Sequence, residues 1–183
     1  MTEVNKRLRE AAANGSETEL KALLRERNCD TSSTSETGMT ALMWGAWFGH
    51  EKCVQVLMPK SDALALDHTG MTVLIHAAWF GHEKCVRLLL PVSDALGKDE
   101  SGLTALMRAA RGGHEECVRL LLPVSDVFAV DDEGWTASAY AHSRLHKSLA
   151  QFIDAYVLAQ SEHAAIEVAV SYNAPSKWVS PRV

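Results

Sequence analysis

Gly38, Gly70, Gly102 and Gly134 stand 32 residues apart. Each opens a stretch that reads nearly alike: GMTALMWGAWFGHEKCVQVLM, GMTVLIHAAWFGHEKCVRLLL, GLTALMRAARGGHEECVRLLL and a divergent GWTASAYAHSRLHKSLAQFI. A chain that repeats at this period stacks its units, and each unit buries its apolar face only against its neighbours. Such an array offers an extended surface more readily than an enclosed cleft. That points to binding rather than turnover.

The copy from Gly70 to Asp99 shows how one unit is built. Gly70 suits a tight turn, and the Thr72 hydroxyl is placed to cap a following helix. The spacing predicts a short helix over 73–80, with Leu74, Ala77 and Ala78 at packing positions. Gly81 then ends it. A second helix over 83–90 starts with Glu83, where the helix dipole favours a carboxylate, and buries Cys85, Val86, Leu89 and Leu90. Pro91 forbids its continuation. The segment VSDALGKDESG leads back to the next glycine, so one unit is an antiparallel helical hairpin plus an extended finger.

The composition of the 183-residue chain is that of an ordinary globular protein, 47% hydrophobic and 22% charged. A formal charge of −5 gives no general attraction for phosphate backbones or anionic lipid, so neither nucleic acid nor membrane is an expected partner. No apolar run approaches the roughly 18 residues that span a bilayer. MTEVNKRLRE has no apolar stretch behind it, and no secretory leader is expected. Cys53, Cys85 and Cys117 hold the same place in successive copies. Stacking would keep such positions about 10 Å apart, beyond the roughly 7 Å that a disulfide tolerates between Cα atoms. They read as small buried apolar side chains, Cys29 sits in a polar stretch, and a cytoplasmic location follows as the expectation.

The pattern G-x-T-x-L-x-x-A-A-x-x-G-H-x-x-x-V-x-x-L-L resembles the ankyrin repeat, in particular the protozoan variety rich in TALM and GHxxCVxLLL. The resemblance implies an all-α solenoid of helix-turn-helix units with hairpin-like loops, filling residues 1–160. It places an N-terminal cap over about 3–30, full repeats over about 38–66, 70–98 and 102–130, and a C-terminal cap over about 134–160. Residues 161–183 would form an extension. Two departures stand out. The T-P-L-H of the family becomes Thr40-Ala41-Leu42-Met43 and Thr72-Val73-Leu74-Ile75, and the loop after Pro91 is about one residue shorter than a 33-residue period implies.

The same resemblance implies non-catalytic recognition of a protein or peptide in a concave groove. Mapped onto this chain, the groove takes Trp47, Phe48, Trp79 and Phe80 as apolar anchors beside Met39 and Met71. Arg108 and Arg111 extend the strip as polar determinants, with Arg144 and Trp135 towards the C-terminal end. Trp47 and Trp79 fit two roles equally, partner contact or flat packing along the stack, whereas Phe48 and Phe80 favour a partner. The alternative is a scaffolding protein whose aromatic groove is covered by self-association or by its own tail. A monomer or weak homo-oligomer is expected.

Other chemistry finds little support. The histidines at 50, 82, 114 and 146 are one repeat apart, too far for the ~4 Å between ligands of one zinc, and the family implies local packing for them. No P-loop, GxGxxG, HExxH or nucleophile elbow occurs, so no enzyme activity, metal or cofactor is expected. Leu145, Leu149, Phe152, Ile153 and Tyr156 carry a last helical stripe that can continue through Ile166. Pro175 and Pro181 oppose helix beyond it, and the end of the chain reads either as solvated or as packed on the repeats.

Overall fold

The computed structural model describes the backbone of residues 2–172 and side chains through residue 162. Helices pair off along the chain: α1 (Glu3–Ala13) with α2 (Glu17–Leu23), α3 (Ala41–Trp47) with α4 (Glu51–Leu57), and α5 (Val73–Trp79) with α6 (Glu83–Leu89). Then come α7 (Ala105–Gly112) with α8 (Glu115–Leu121), and α9 (Ala137–Ser143) with α10 (Lys147–Tyr172). The first helices of the pairs stack in one row, α1, α3, α5, α7, α9, and the second helices α2, α4, α6, α8 in another. The result is a two-layered, all-helical solenoid.

Most of these helices span only seven residues, too short to persist alone, so packing holds them. The three full repeats contribute nearly the same apolar set, with Gly45 in the first of them where the others have alanine. In the central one it is Leu74, Ala77, Ala78, Cys85, Val86 and Leu89, all buried. The alanines let neighbouring helices approach closely. All four cysteines are free thiols, and Cys53, Cys85 and Cys117 are buried. Burial, helped by nearby Glu51 and Glu83 respectively, pushes the Cys85 thiol up to about 11 and the Cys117 thiol up to about 12.

The expected caps are present. The hydroxyls of Thr40, Thr72 and Thr104 accept from the amides of Met43, Ile75 and Met107, each at 3.3 Å. The first helix of the central repeat ends at Trp79, with Phe80 as its cap and Gly81 left-handed at φ 74°. Its second helix ends at Leu89, not Leu90. Pro91 does not stop the chain abruptly but starts a 3-10 turn over Leu90–Val92, where its missing amide costs nothing.

Three further expectations are revised. The histidines do more than pack locally: the His50 and His82 rings lie 6.2 and 6.4 Å from Phe48 and Phe80 of their own repeats, but His50, His82 and His114 donate from Nε2 to the carbonyls of Ala13, Trp47 and Trp79, one repeat back, at 2.8–2.9 Å. Leu149 and Ile153 are buried as the last stripe requires, but Leu145 is 77% exposed. It occupies the left-handed corner held by Gly49, Gly81 and Gly113 in the earlier units, at φ 63°, and that backbone turns its side chain to solvent. Finally, α10 runs unbroken across residue 160 to Tyr172. Residues 173–183, where a solvated or docked tail was expected, lie outside the described residues.

Candidate partner-binding groove

The fingers are built on one aspartate per repeat. Asp67 Oδ1 accepts from the amides of Thr69 and Met71 at 2.8 and 3.0 Å, and Asp99 Oδ1 from Ser101 and Leu103 at 2.9 and 3.0 Å. Asp131 repeats the turn with Glu133 and Trp135 at 3.0 and 2.8 Å. Neighbouring fingers are joined by backbone bonds, His68 N to Thr37 O and Glu100 N to Thr69 O, both 3.1 Å. The residue after each turn glycine is thereby fixed. Met39, Met71 and Leu103 are buried beneath the fingers, which removes the two methionines from the expected contact surface. Trp135 alone of that column is exposed, at 39%, because the array ends there and no further finger covers it.

The second oxygen of each aspartate reaches the floor of the groove. Asp67 Oδ2 accepts from His76 Nε2 at 2.9 Å, Asp99 Oδ2 from Arg108 Nε at 2.9 Å and from its terminal nitrogen, and Asp131 Oδ2 from the Tyr140 hydroxyl. Burial works to raise the carboxyls of Asp67 and Asp131, but hydrogen bonds from Thr69 and Met71, and from Tyr140 and the finger amides, outweigh it and hold both below the usual range. Burial lowers the His76 imidazole despite Asp67, with Arg108 adding to the effect. Burial and then Asp131 push the Tyr140 phenol up to about 12.

This column revises the role expected for Arg108. Its guanidinium is buried, paired with Asp99 and laid over the Trp79 ring at 4.4 Å, so it belongs to the floor and not to the contact surface. Trp47 and Trp79 are half-buried within the same bed. Trp47 lies 5.2 Å from His76, 6.2 Å from Trp79 and 4.6 Å from Phe80. Their geometry favours packing along the stack. Trp44, which the sequence reading passed over, begins the bed, with its ring 6.1 Å from Trp47 and 6.0 Å from Phe48.

On this bed Phe48 and Phe80 stand out, 47% and 36% exposed, each beside a tryptophan of its own repeat. Towards the C-terminal end the groove deepens into a cleft of about 620 Å³. Its helix wall carries Arg111, Ser143 and Arg144, its finger wall Glu100, Asp132 and Glu133, and Trp135 and Tyr140 line it between. Arg111 lies over the Tyr140 ring at 5.6 Å. Among the described residues no group of three or more His, Cys, Asp or Glu is placed to hold a metal ion. Nor is any helix there long and apolar enough to cross a membrane.

A stacked two-row solenoid of paired helices joined by fingers defines a helical repeat protein. The family model described as "Ankyrin repeats (3 copies)" matches residues 8–99 and 92–159. The chain belongs to the ankyrin-repeat family, whose members are in general protein–protein interaction modules and typically non-catalytic. A search of curated proteins found no match.

Proposed function

We propose that this protein is a non-catalytic recognition module that holds a protein or peptide in its concave groove. The supporting observation is the pair Phe48 and Phe80, exposed on a rigid bed of half-buried indoles. Aromatic side chains immobilised before binding lose little entropy when a partner arrives, which is how interface anchors gain their weight. Arg111, Arg144 and Trp135 supply polar and aromatic contacts in the adjoining cleft. The free thiols fit a reducing compartment and a cytoplasmic protein.

The test is retention of cellular proteins on immobilised wild-type chain against Phe48→Ala/Phe80→Ala and Trp135→Ala/Arg144→Ala variants, after each is verified to melt like wild type. Partners kept by wild type and lost from both variants support the groove. Size-exclusion chromatography accompanies it. A concentration-dependent dimer that the same substitutions abolish would instead make the groove a self-association surface.

A further inference from the structure

Among the described residues, most of the exposed large hydrophobic side chains lie outside the groove. Leu64, Leu96 and Phe128 are 55%, 57% and 56% exposed, on the loops that lead from each second helix to the next finger. They occupy the same position in successive repeats, 32 residues apart. Leu66 and Val130, and Val92 and Val124, are exposed on the same loops. Soluble chains seldom leave aligned apolar side chains in water without a use for them.

The presentation is built, not incidental. Two residues before each one stands an aspartate whose Oδ1 accepts its backbone amide: Asp62 for Leu64 at 2.8 Å, Asp94 for Leu96 at 2.9 Å, Asp126 for Phe128 at 2.9 Å. One turn used three times holds the three side chains in register. The neighbours Ala63, Ala95 and Val127 point the other way, into the core or against it. The three aspartates are themselves exposed, so the strip alternates apolar and acidic groups. These loops carry only two lysines, Lys60 and Lys98, against Asp62, Asp94 and Asp126 and the finger acids Glu100, Asp132 and Glu133, so negative charge is in excess along the strip.

The period selects a partner geometry. Equivalent positions in stacked helical repeats stand about 10 Å apart. Seven residues of an α-helix advance about 10.5 Å, and residues seven apart lie on nearly one face. The fold also shows a helix seated beside the last rung. Tyr156 and Gln160 of α10 join Leu122, Val127 and Phe128 around a recess of about 190 Å³.

We propose that Leu64, Leu96 and Phe128 form a second docking strip, separate from the groove, for an amphipathic α-helix of a partner protein. That helix carries an apolar side chain at every seventh position and lysine or arginine beside it. The probe is a fluorescein-labelled synthetic helix of about 21 residues, with leucine at every seventh position, flanking lysines, and alanine and glutamine elsewhere. Anisotropy titration with the full chain should show saturable one-to-one binding. Leu64→Ser/Leu96→Ser/Phe128→Ser should weaken it about tenfold or more, and its exposed positions leave the fold intact, as a melting curve verifies. Asp62→Asn/Asp94→Asn/Asp126→Asn keeps the turn acceptors and should weaken it in low salt, whereas Phe48→Ala/Phe80→Ala should leave it unchanged. Equal binding by the triple serine variant, or by a control helix with leucines at every fifth position, would overturn the proposal. So would a wild-type dimer in sedimentation that the triple serine variant abolishes, since the strip would then serve a second copy of this chain.

Discussion

His82 Nε2 donates to the carbonyl oxygen of Trp47 at 2.8 Å, and its ring lies against Gly49. One side chain thus joins the start of the second helix in one repeat to the end of the first helix in the repeat before. The carbonyl belongs to a residue of the groove bed, so the same bond that stacks the array steadies the surface it presents. Gly49 is left-handed at φ 73°, and a Cβ there would collide with the imidazole.

His82→Ala removes the donor from the part-buried Trp47 carbonyl and strips the ring from Gly49. A loss of about 1–3 kcal/mol is expected. Gly49→Ala should cost more, because it adds left-handed strain of about 1–2 kcal/mol to displacement of the ring. Urea unfolding measures both, and a His82→Ala midpoint equal to wild type would remove the bond from the account.

At the equivalent corner Leu145 stands where the other repeats have glycine, at φ 63° and 77% exposed. Leu145→Gly forfeits almost no packing and relieves the strain, against some added entropy in the unfolded chain. The net should be a gain of about 0.5–1 kcal/mol. A destabilised variant in thermal or urea unfolding would contradict the assigned corner.

Arg108 and Asp99 form a buried pair on the groove floor. Arg108→Leu leaves the Asp99 carboxylate buried without its cation and should cost about 3–5 kcal/mol. Arg108→Leu/Asp99→Asn should recover part of that loss, because no lone charge remains, while the asparagine oxygen still accepts from Ser101 and Leu103. A double-mutant cycle with no coupling between the two positions would refute the pairing.

His76 is buried, its Nε2 held by Asp67 and its Nδ1 without a partner, so the neutral ring is the native form. Burial lowers its native value below the 6.5 of an open chain, and the unfolded state therefore binds the proton first. Stability should fall as pH drops below about 6.5, and level off once the native ring is also protonated. His76→Gln can still donate to Asp67 but does not titrate, and should flatten that slope. Asp67 and Asp131 act lower. Their stabilising contribution, present at neutral pH, is lost as pH falls below the unfolded 3.8 and through their lowered native values. Urea midpoints at a series of pH values resolve the two windows.

The repeat core was legible because its signals are local and periodic. Thr72 caps and Gly81 turns as the spacing implied, and Leu74, Ala78 and Cys85 face inward. The groove was legible in part. Phe48, Phe80 and Trp135 are exposed, but Met71 follows a glycine whose conformation alone does not decide which way the next side chain points; the Asp67 turn decides it. The floor was missed because its two halves vary differently. Asp67, Asp99 and Asp131 recur, whereas their partners change from His76 to Arg108 to Tyr140. The recurring aspartate nine residues before a changing donor was the available signal. Arg108 looked like a free surface cation only because its acceptor lies in another part of the repeat. Leu145 fitted a helical stripe by spacing, and the left-handed backbone that turns it outward is a tertiary consequence.

We propose that partners meet the groove at Phe48 and Phe80. A photoreactive benzophenone amino acid placed singly at position 48, 80 or 116 tests it in cells. Position 116 is an exposed site on the second-helix face of α8, away from the aromatic bed. Covalent adducts with the same partner protein are expected from positions 48 and 80, and none of that partner from 116. Adducts that form at 116 while 48 and 80 stay unmodified would contradict it.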